Sequence, residues 1–200
     1  MLHIRVYSDY VCPYCFLGEQ VLLLAIQGQE DKVTIEWMPF ELRPYPTPTL
    51  KPEGDYLQQT WQQSVYPLAE QLGVPIVLPR VSPQPYTHLA FEGFQFAKEQ
   101  GLENAYNHRM FTAFFQEQQD IGQIEVLTNL AAEIGLDPAA FRQALENRTY
   151  KTHHQVALRQ AAEEFKVAAV PTFVIGPHIY RGLLREEDFK KVLFQSLGNG

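Results

Sequence analysis

Cys12-Pro13-Tyr14-Cys15 has residue types and a spacing suited to chemistry, and it holds both cysteines of the 200-residue chain. Two thiols one helical turn apart are placed to form and release a disulfide. Pro13 falls where proline is best tolerated, at the first helical position, because the amide it lacks would have been unpaired there. Cys12 is then at or just before the helix start, facing free N–H groups and the positive end of the dipole. That setting favours the thiolate, the nucleophile of disulfide exchange. Cys15, one turn inward beside Phe16 and Leu17, is expected to be buried and to resolve a mixed disulfide formed at Cys12. Two blander roles compete: a pair of small buried hydrophobes, or half a zinc site. Zinc needs four ligands, and the paired histidines His153 and His154 are adjacent, about 100° apart around a helix. No metal is expected.

These residues need a scaffold. Leu2 to Tyr7 reads as a strand, and a helix is expected from Pro13 through Val21, Leu22 and Ala25 to about Gly28. Val33, Ile35 and Trp37 alternate with Thr34, Glu36 and Met38, marking a second strand. Strand, helix and strand in so short a span imply a right-handed parallel crossover. Pro44, Pro46, Pro48 and Pro52 then exclude regular structure between Arg43 and Gly54. Leu57, Trp61, Val65, Leu68 and Leu72 share a helical face, with a kink expected at Pro67. A second proline-rich loop covers 73–85. Helices are expected over 87–100, 103–117 and 124–134. Another opens at Asp137-Pro138, an N-cap followed by an N1 proline. The next, 152–166, should turn Leu158, Ala162 and Phe165 inward. Val170 to Gly176 is strand-like, Ile179 to Gly182 its partner, and a last helix from Glu186 should bury Phe189, Val192, Leu193 and Leu197.

Composition narrows the function classes. A net charge of −7 argues against nucleic acid and anionic membrane surfaces as partners. No run approaches the roughly 18 apolar residues of a membrane span. With no basic start leading into an apolar segment, and no structural disulfide framework, a cytoplasmic location is expected. Thirteen Phe and ten Tyr point to an aromatic core or an apolar groove.

The motifs together resemble a known superfamily. Cys12-x-x-Cys15 after a first strand, with Val170-Pro171-Thr172 before a late one, is similar to thioredoxin-like proteins. There the residue matching Pro171 follows a cis peptide bond and packs beside the disulfide, and the backbone before it pairs with bound substrate. The helical insertion resembles the DsbA branch. Ser8 to Gly18, Asp120-Ile121-Gly122 and Val170 to Gly176 look like FrnE-type, cytosolic DsbA-like oxidoreductases. The resemblance implies an α/β, thioredoxin-like fold from residues 1–43 and 168–200, with a large all-helical insertion at 44–167. It implies a thiol–disulfide oxidoreductase with Cys12 as nucleophile and Cys15 as resolving thiol. Pro13, Tyr14 and Pro171 would support the site, and Val170 and Pro171 would hold substrate. No bound cofactor is implied; a disulfide- or thiol-containing protein or small molecule is the substrate, with glutathione a redox partner. Glutaredoxins share the Pro-Tyr dipeptide but are about half this length and lack the insertion.

Two alternatives remain at this stage. The same architecture carries 2-hydroxychromene-2-carboxylate isomerase and kappa-class glutathione transferases, where a serine matches Cys12 and glutathione is the cofactor. The other is a redox-sensing adaptor whose Cys12–Cys15 state alters partner binding. Among further charged residues, Glu36 and Glu41 are candidates for a proton relay to Cys15, against a default of solvated or ion-paired carboxylates. For His88 and His108 the default is surface or satisfied core. Phe91, Phe94, Phe111, Phe114 and Phe115 are expected in the core rather than in a groove.

Overall fold

The structure, a computed structural model, describes residues 1–198, with side chains described to residue 196. Strand β1 (Leu2–Ser8), helix α1 (Pro13–Ala25) and strand β2 (Val33–Pro39) form the expected crossover, β1 and β2 pairing in parallel from Leu2 opposite Val33 to Ser8 opposite Pro39. The chain returns as strands β3 (Thr172–Ile175) and β4 (His178–Arg181), both antiparallel, giving the order β2-β1-β3-β4. Alternation divides the sheet. Ile4, Val6, Trp37, Phe173 and Ile175 belong to the main core, where Phe173 meets Phe189 of the last helix, α9 (Glu186–Gly198), at 4.8 Å between centroids. Tyr7, Val174 and Met38 join a second cluster with Ala161, Phe165 and Val167 on the opposite face. The expected inward position of Leu197 lies outside the described side chains.

Between β2 and β3 lie α2 (Asp55–Thr60), α3 (Tyr66–Leu72), α4 (His88–Glu99), α5 (Glu103–Phe115), α6 (Ile124–Glu133), α7 (Pro138–Glu146) and α8 (Lys151–Glu163). Asp137 caps α7 as its spacing predicts, accepting the Ala139 and Ala140 amides. The five phenylalanines singled out above are all buried.

Two expectations need correction. At Pro67 the chain does not simply kink: Trp61–Val65 forms a π-helical turn joining α2 to α3, and the Tyr66 amide reaches back to Trp61. Pro67 cannot donate to the carbonyl four residues earlier and its ring crowds that group, so the ladder widens just ahead of it. In α8 the buried face is His154, Ala157 and Ala161, while Ala162 is exposed. The helix is rotated from the apolar-only reading because a histidine, held by a partner elsewhere in the chain, is part of its inner face.

Candidate active site

After β1, Asp9-Tyr10-Val11 makes a turn closed by the Cys12 amide donating to the Asp9 carbonyl at 3.0 Å. Cys12 is the N-cap of α1, in extended backbone, and its carbonyl accepts the amides of Cys15 at 3.0 Å and Phe16 at 3.3 Å. Pro13 takes the first helical position, and the first turn carries no acidic residue. Both cysteines are free thiols, Cys12 being 5% exposed and Cys15 2%. Cys12 Sγ points at the Val170 carbonyl, 3.8 Å away, and forms part of the wall of a cavity of about 230 Å³. Cys15 lies behind it. Burial is the main reason its thiol is pushed well above the ordinary range; proximity to Cys12 and the Asp9 carboxylate add to this, and the Asp9 amide opposes it.

The Val170–Pro171 peptide is cis. Pro171 is anchored by the Gly182 amide, which donates to its carbonyl at 2.8 Å. Gly18, one turn beyond Cys15, allows α1 to close on this segment. A Cβ there would stand 3.2 Å from Phe173 and 3.4 Å from Pro171. Tyr14 reaches away from the thiols, its hydroxyl donating to Ser64 Oγ at 2.7 Å. Ser64 and Trp61 belong to the π-helical turn, and Trp61 lines the cavity with Leu50, Tyr56, Gln84 and Arg43. The groove beside Cys12 is therefore built from the sheet scaffold on one side and the helical segment on the other.

Asp9 is a site residue that spacing and motif reading passed over. It lines the cavity, is 1% exposed, and accepts the Leu42 amide and the Thr87 hydroxyl, each at 2.8 Å. Burial, the largest influence, pushes its carboxyl up to about 7 against those hydrogen bonds, and the charge on Glu41 adds to the rise. A signal was present: an aspartate directly after a buried strand, two residues before an amide it can accept, is the pattern of an Asx turn.

The two carboxylates weighed as relays to Cys15 do not line this cavity. Glu36 stands opposite Arg5 in the β1–β2 ladder and pairs with it at 2.8 Å, partly buried on the sheet face that carries the second cluster, where Arg5 lies over Phe165. Glu41 is not solvated either. Its side chain is 7% exposed and meets His154 Nε2 at 2.6 Å. Half-buried His88 lines a second cavity with Glu41, His154, Glu92 and Arg148, and burial followed by the Arg148 charge lowers its basicity. His108 lies at 3.0 Å from buried Glu19, whose hydrogen bond raises the imidazole. Among the described residues no group of three His, Cys, Asp or Glu side chains is arranged to hold a metal.

A family model described as a DSBA-like thioredoxin domain matches residues 3–194. The chain belongs to that family. It is 53% identical over 193 residues to the uncharacterized protein YwbO of Bacillus subtilis (strain 168), covering 96% of each chain. Among solved structures it shares its fold with the probable DsbA oxidoreductase SCO1869 from Streptomyces coelicolor, at a TM-score of 0.84 and 21% identity over 100% of this chain and 92% of that one. 2-Hydroxychromene-2-carboxylate isomerase follows at 0.76 and 19%, covering 98% and 95%. The cytosolic disulfide reductase DsbM from Pseudomonas aeruginosa with GSH gives 0.74 and 20%, covering 98% and 100%. Membership gives a DsbA-like thioredoxin fold of α/β class with a helical insertion, in a family of thiol oxidoreductases.

Proposed function

We propose that the protein is a thiol–disulfide oxidoreductase in which Cys12 is the nucleophile and Cys15 the resolving thiol. One observation carries the reading: a thiol at the start of α1 faces a groove and the Val170 carbonyl, while its partner sits one turn inward, buried. Cys12 as thiolate attacks a substrate disulfide, forming a mixed disulfide and releasing the first substrate thiolate. Cys15 then gives its proton to the Asp9 carboxylate and attacks the Cys12 sulfur. The Cys12–Cys15 bond forms, the Cys12–substrate bond breaks, and the second substrate thiolate leaves. Substrate disulfide is reduced and the cysteine pair oxidised; the reverse sequence oxidises a dithiol. The backbone at Val170 is suited to pairing with an extended substrate. Pro13 orients the first turn, Tyr14 ties it to Ser64, and Pro171 closes the floor.

Residues 1–43 and 168–200 act as the thiol-bearing unit and 44–167 as the helical unit that walls the groove. The likeness to a cytosolic reductase and the absence of other cysteines support a cytoplasmic, FrnE-like role. A second reading, glutathione-dependent isomerase or transferase, is favoured by the groove itself. Its apolar wall carries Arg43 and Gln84, groups that suit the carboxylate and amides of a small peptide thiol, and a fold neighbour is described with GSH. Cys12→Ser should abolish disulfide exchange, and Cys15→Ser should trap mixed disulfides with Cys12. Exchange surviving in the first variant would refute the assignment. Catalysis that needs glutathione and survives loss of Cys15 would establish the second reading instead.

A further inference from the structure

A closed ring of contacts runs from the cysteine turn into the helical layer and back. Tyr10 stacks on Phe91 with centroids 4.5 Å apart, and Phe91 stacks on His154 at 5.4 Å. His154 Nε2 meets Glu41 Oε1 at 2.6 Å. The next residue, Leu42, donates its amide to Asp9 at 2.8 Å, and Asp9 precedes Tyr10. Asp9, Tyr10, Phe91 and His154 are all buried. Residues 40–50 have no regular structure, so the place of the Leu42 amide depends on side-chain anchors such as Glu41.

His154 is an expensive choice for filling that space. Its Nδ1 is buried with no hydrogen-bond partner, a cost that leucine or phenylalanine would not carry. What the histidine adds is a donor for Glu41. We propose that His154 is a positioning residue: by holding Glu41 it fixes both the Leu42 amide and the nearest carboxylate charge beside Asp9, and so sets the pH at which Asp9 can serve the cysteines. This rests on the thiol-exchange reading for its consequence, but the coupling itself is a property of the fold. Two nearby carboxylates oppose each other's ionisation, so removing the Glu41 charge lets Asp9 ionise more readily, whereas releasing Glu41 from its anchor loosens the Leu42 amide that stabilises the Asp9 carboxylate. That Glu41 pushes the Asp9 carboxyl upward agrees with this.

The other charged or titratable groups around the pair are Tyr45 in the connector, His88 and Glu92 from α4, Arg148 in the turn before α8 and Lys151 at its start. Around Asp9 they are Tyr10 beside it, Cys12 and Cys15 at the start of α1, Tyr14 and Tyr56 in the cavity wall, and Arg43 in the connector. All stay in place in the test, which is a carbon NMR titration of the Asp9 carboxyl in the reduced protein. It is run beside the pH profile of thiol release from a Cys12 mixed disulfide with thionitrobenzoate. Glu41→Gln should lower the Asp9 midpoint and His154→Leu should raise it, each on the order of half a unit. His154→Gln, whose amide can still donate to Glu41, should stay at the wild-type value. Opposite shifts from changes at the two ends of one contact are not what a packing role produces. Coincident midpoints, or shifts in one direction for all three variants, would overturn the proposal. Should His154→Leu fail to fold, an unmoved midpoint in Glu41→Gln overturns it alone. If Asp9 shifts as expected while wild type releases no thiol, the coupling stands and the exchange reading falls.

Discussion

Asp9→Asn is the perturbation that tests the site most directly. The Asp9 carboxyl is lifted from 3.8 to about 7, chiefly because burial penalises its charge. A rise of roughly three units, at about 1.4 kcal/mol each, makes the ionised folded state about 4 kcal/mol less stable than it would be with an unshifted group. The sign follows from proton binding. Between pH 3.8 and about 7 the folded protein holds a proton that the unfolded chain has lost, so stability falls as pH rises through that window. Below it no penalty is felt, and above it the whole penalty is. Asparagine keeps an acceptor for the Leu42 amide, and the Thr87 hydroxyl can turn to accept from the new amide, so the fold should survive. The assay is urea unfolding of the reduced protein across that pH range, wild type minus variant, so that every other titrating group cancels. The difference should change by about 4 kcal/mol, in favour of the variant at the alkaline end. The variant should also resolve mixed disulfides about a hundredfold more slowly, the ordinary effect of removing a positioned base. A flat difference curve would refute the reasoning, since it would mean that Asp9 is not desolvated in solution.

Two further outcomes follow from particular contacts. Gly93→Ala should destabilise the protein by about 1–3 kcal/mol in a denaturation midpoint. Its methyl would stand 2.6 Å from Phe141 and against the Tyr106 hydroxyl, both in the buried helical core, and unchanged stability would mean that α4 and α7 pack more loosely than they do here. His108→Gln should remove a pH dependence of opposite origin to that of Asp9. The imidazole is raised above 6.5 by its hydrogen bond to Glu19, so its contribution is complete below 6.5 and is lost as pH rises through the folded value. Because the ring is half exposed, the wild-type advantage measured by thermal melting should be less than about 1 kcal/mol. An advantage that grew with pH would contradict that sign.

Local rules go far with β1, α1 and β2, because each is decided by its own residues. Period-2 alternation, a cysteine-proline helix start and a crossover handedness need no knowledge of the rest of the chain. The Asp137-Pro138 cap is legible for the same reason: the side chain that stops the strand of unpaired amides is two and three residues from the amides it takes. The thiols themselves were found by spacing alone. Where the reading of Glu41 and of the α8 face went astray, the deciding partner was far away in sequence. Glu41 and His154 are 113 positions apart, and each looks like a surface residue until the other is in view. The α8 face was misjudged because a buried histidine counts as polar in any hydrophobic pattern, though in this fold it is flat, stacked and hydrogen-bonded on its inward side. Asp9 was hidden differently: its own neighbours hint at a turn, but its burial depends on Leu42 and Thr87.

This separation has a consequence for how the chemistry is divided. The strand–helix unit brings the two sulfurs one turn apart and exposes only one of them to the groove, and that much any short thiol motif on this scaffold would do. Nothing in residues 1–40 alone buries the Asp9 carboxyl between two hydrogen bonds. The Thr87 hydroxyl comes from the start of α4, and the Leu42 amide is held by a connector whose anchor, His154, is in α8. The helical segment also supplies Ser64 for Tyr14 and Trp61 for the groove wall. A change in the helical layer can therefore alter the proton side of the proposed thiol exchange without touching a cysteine. Variation among proteins of this fold in that layer is thus expected to tune when the buried thiol ionises, while the sheet and α1 keep the sulfurs in register.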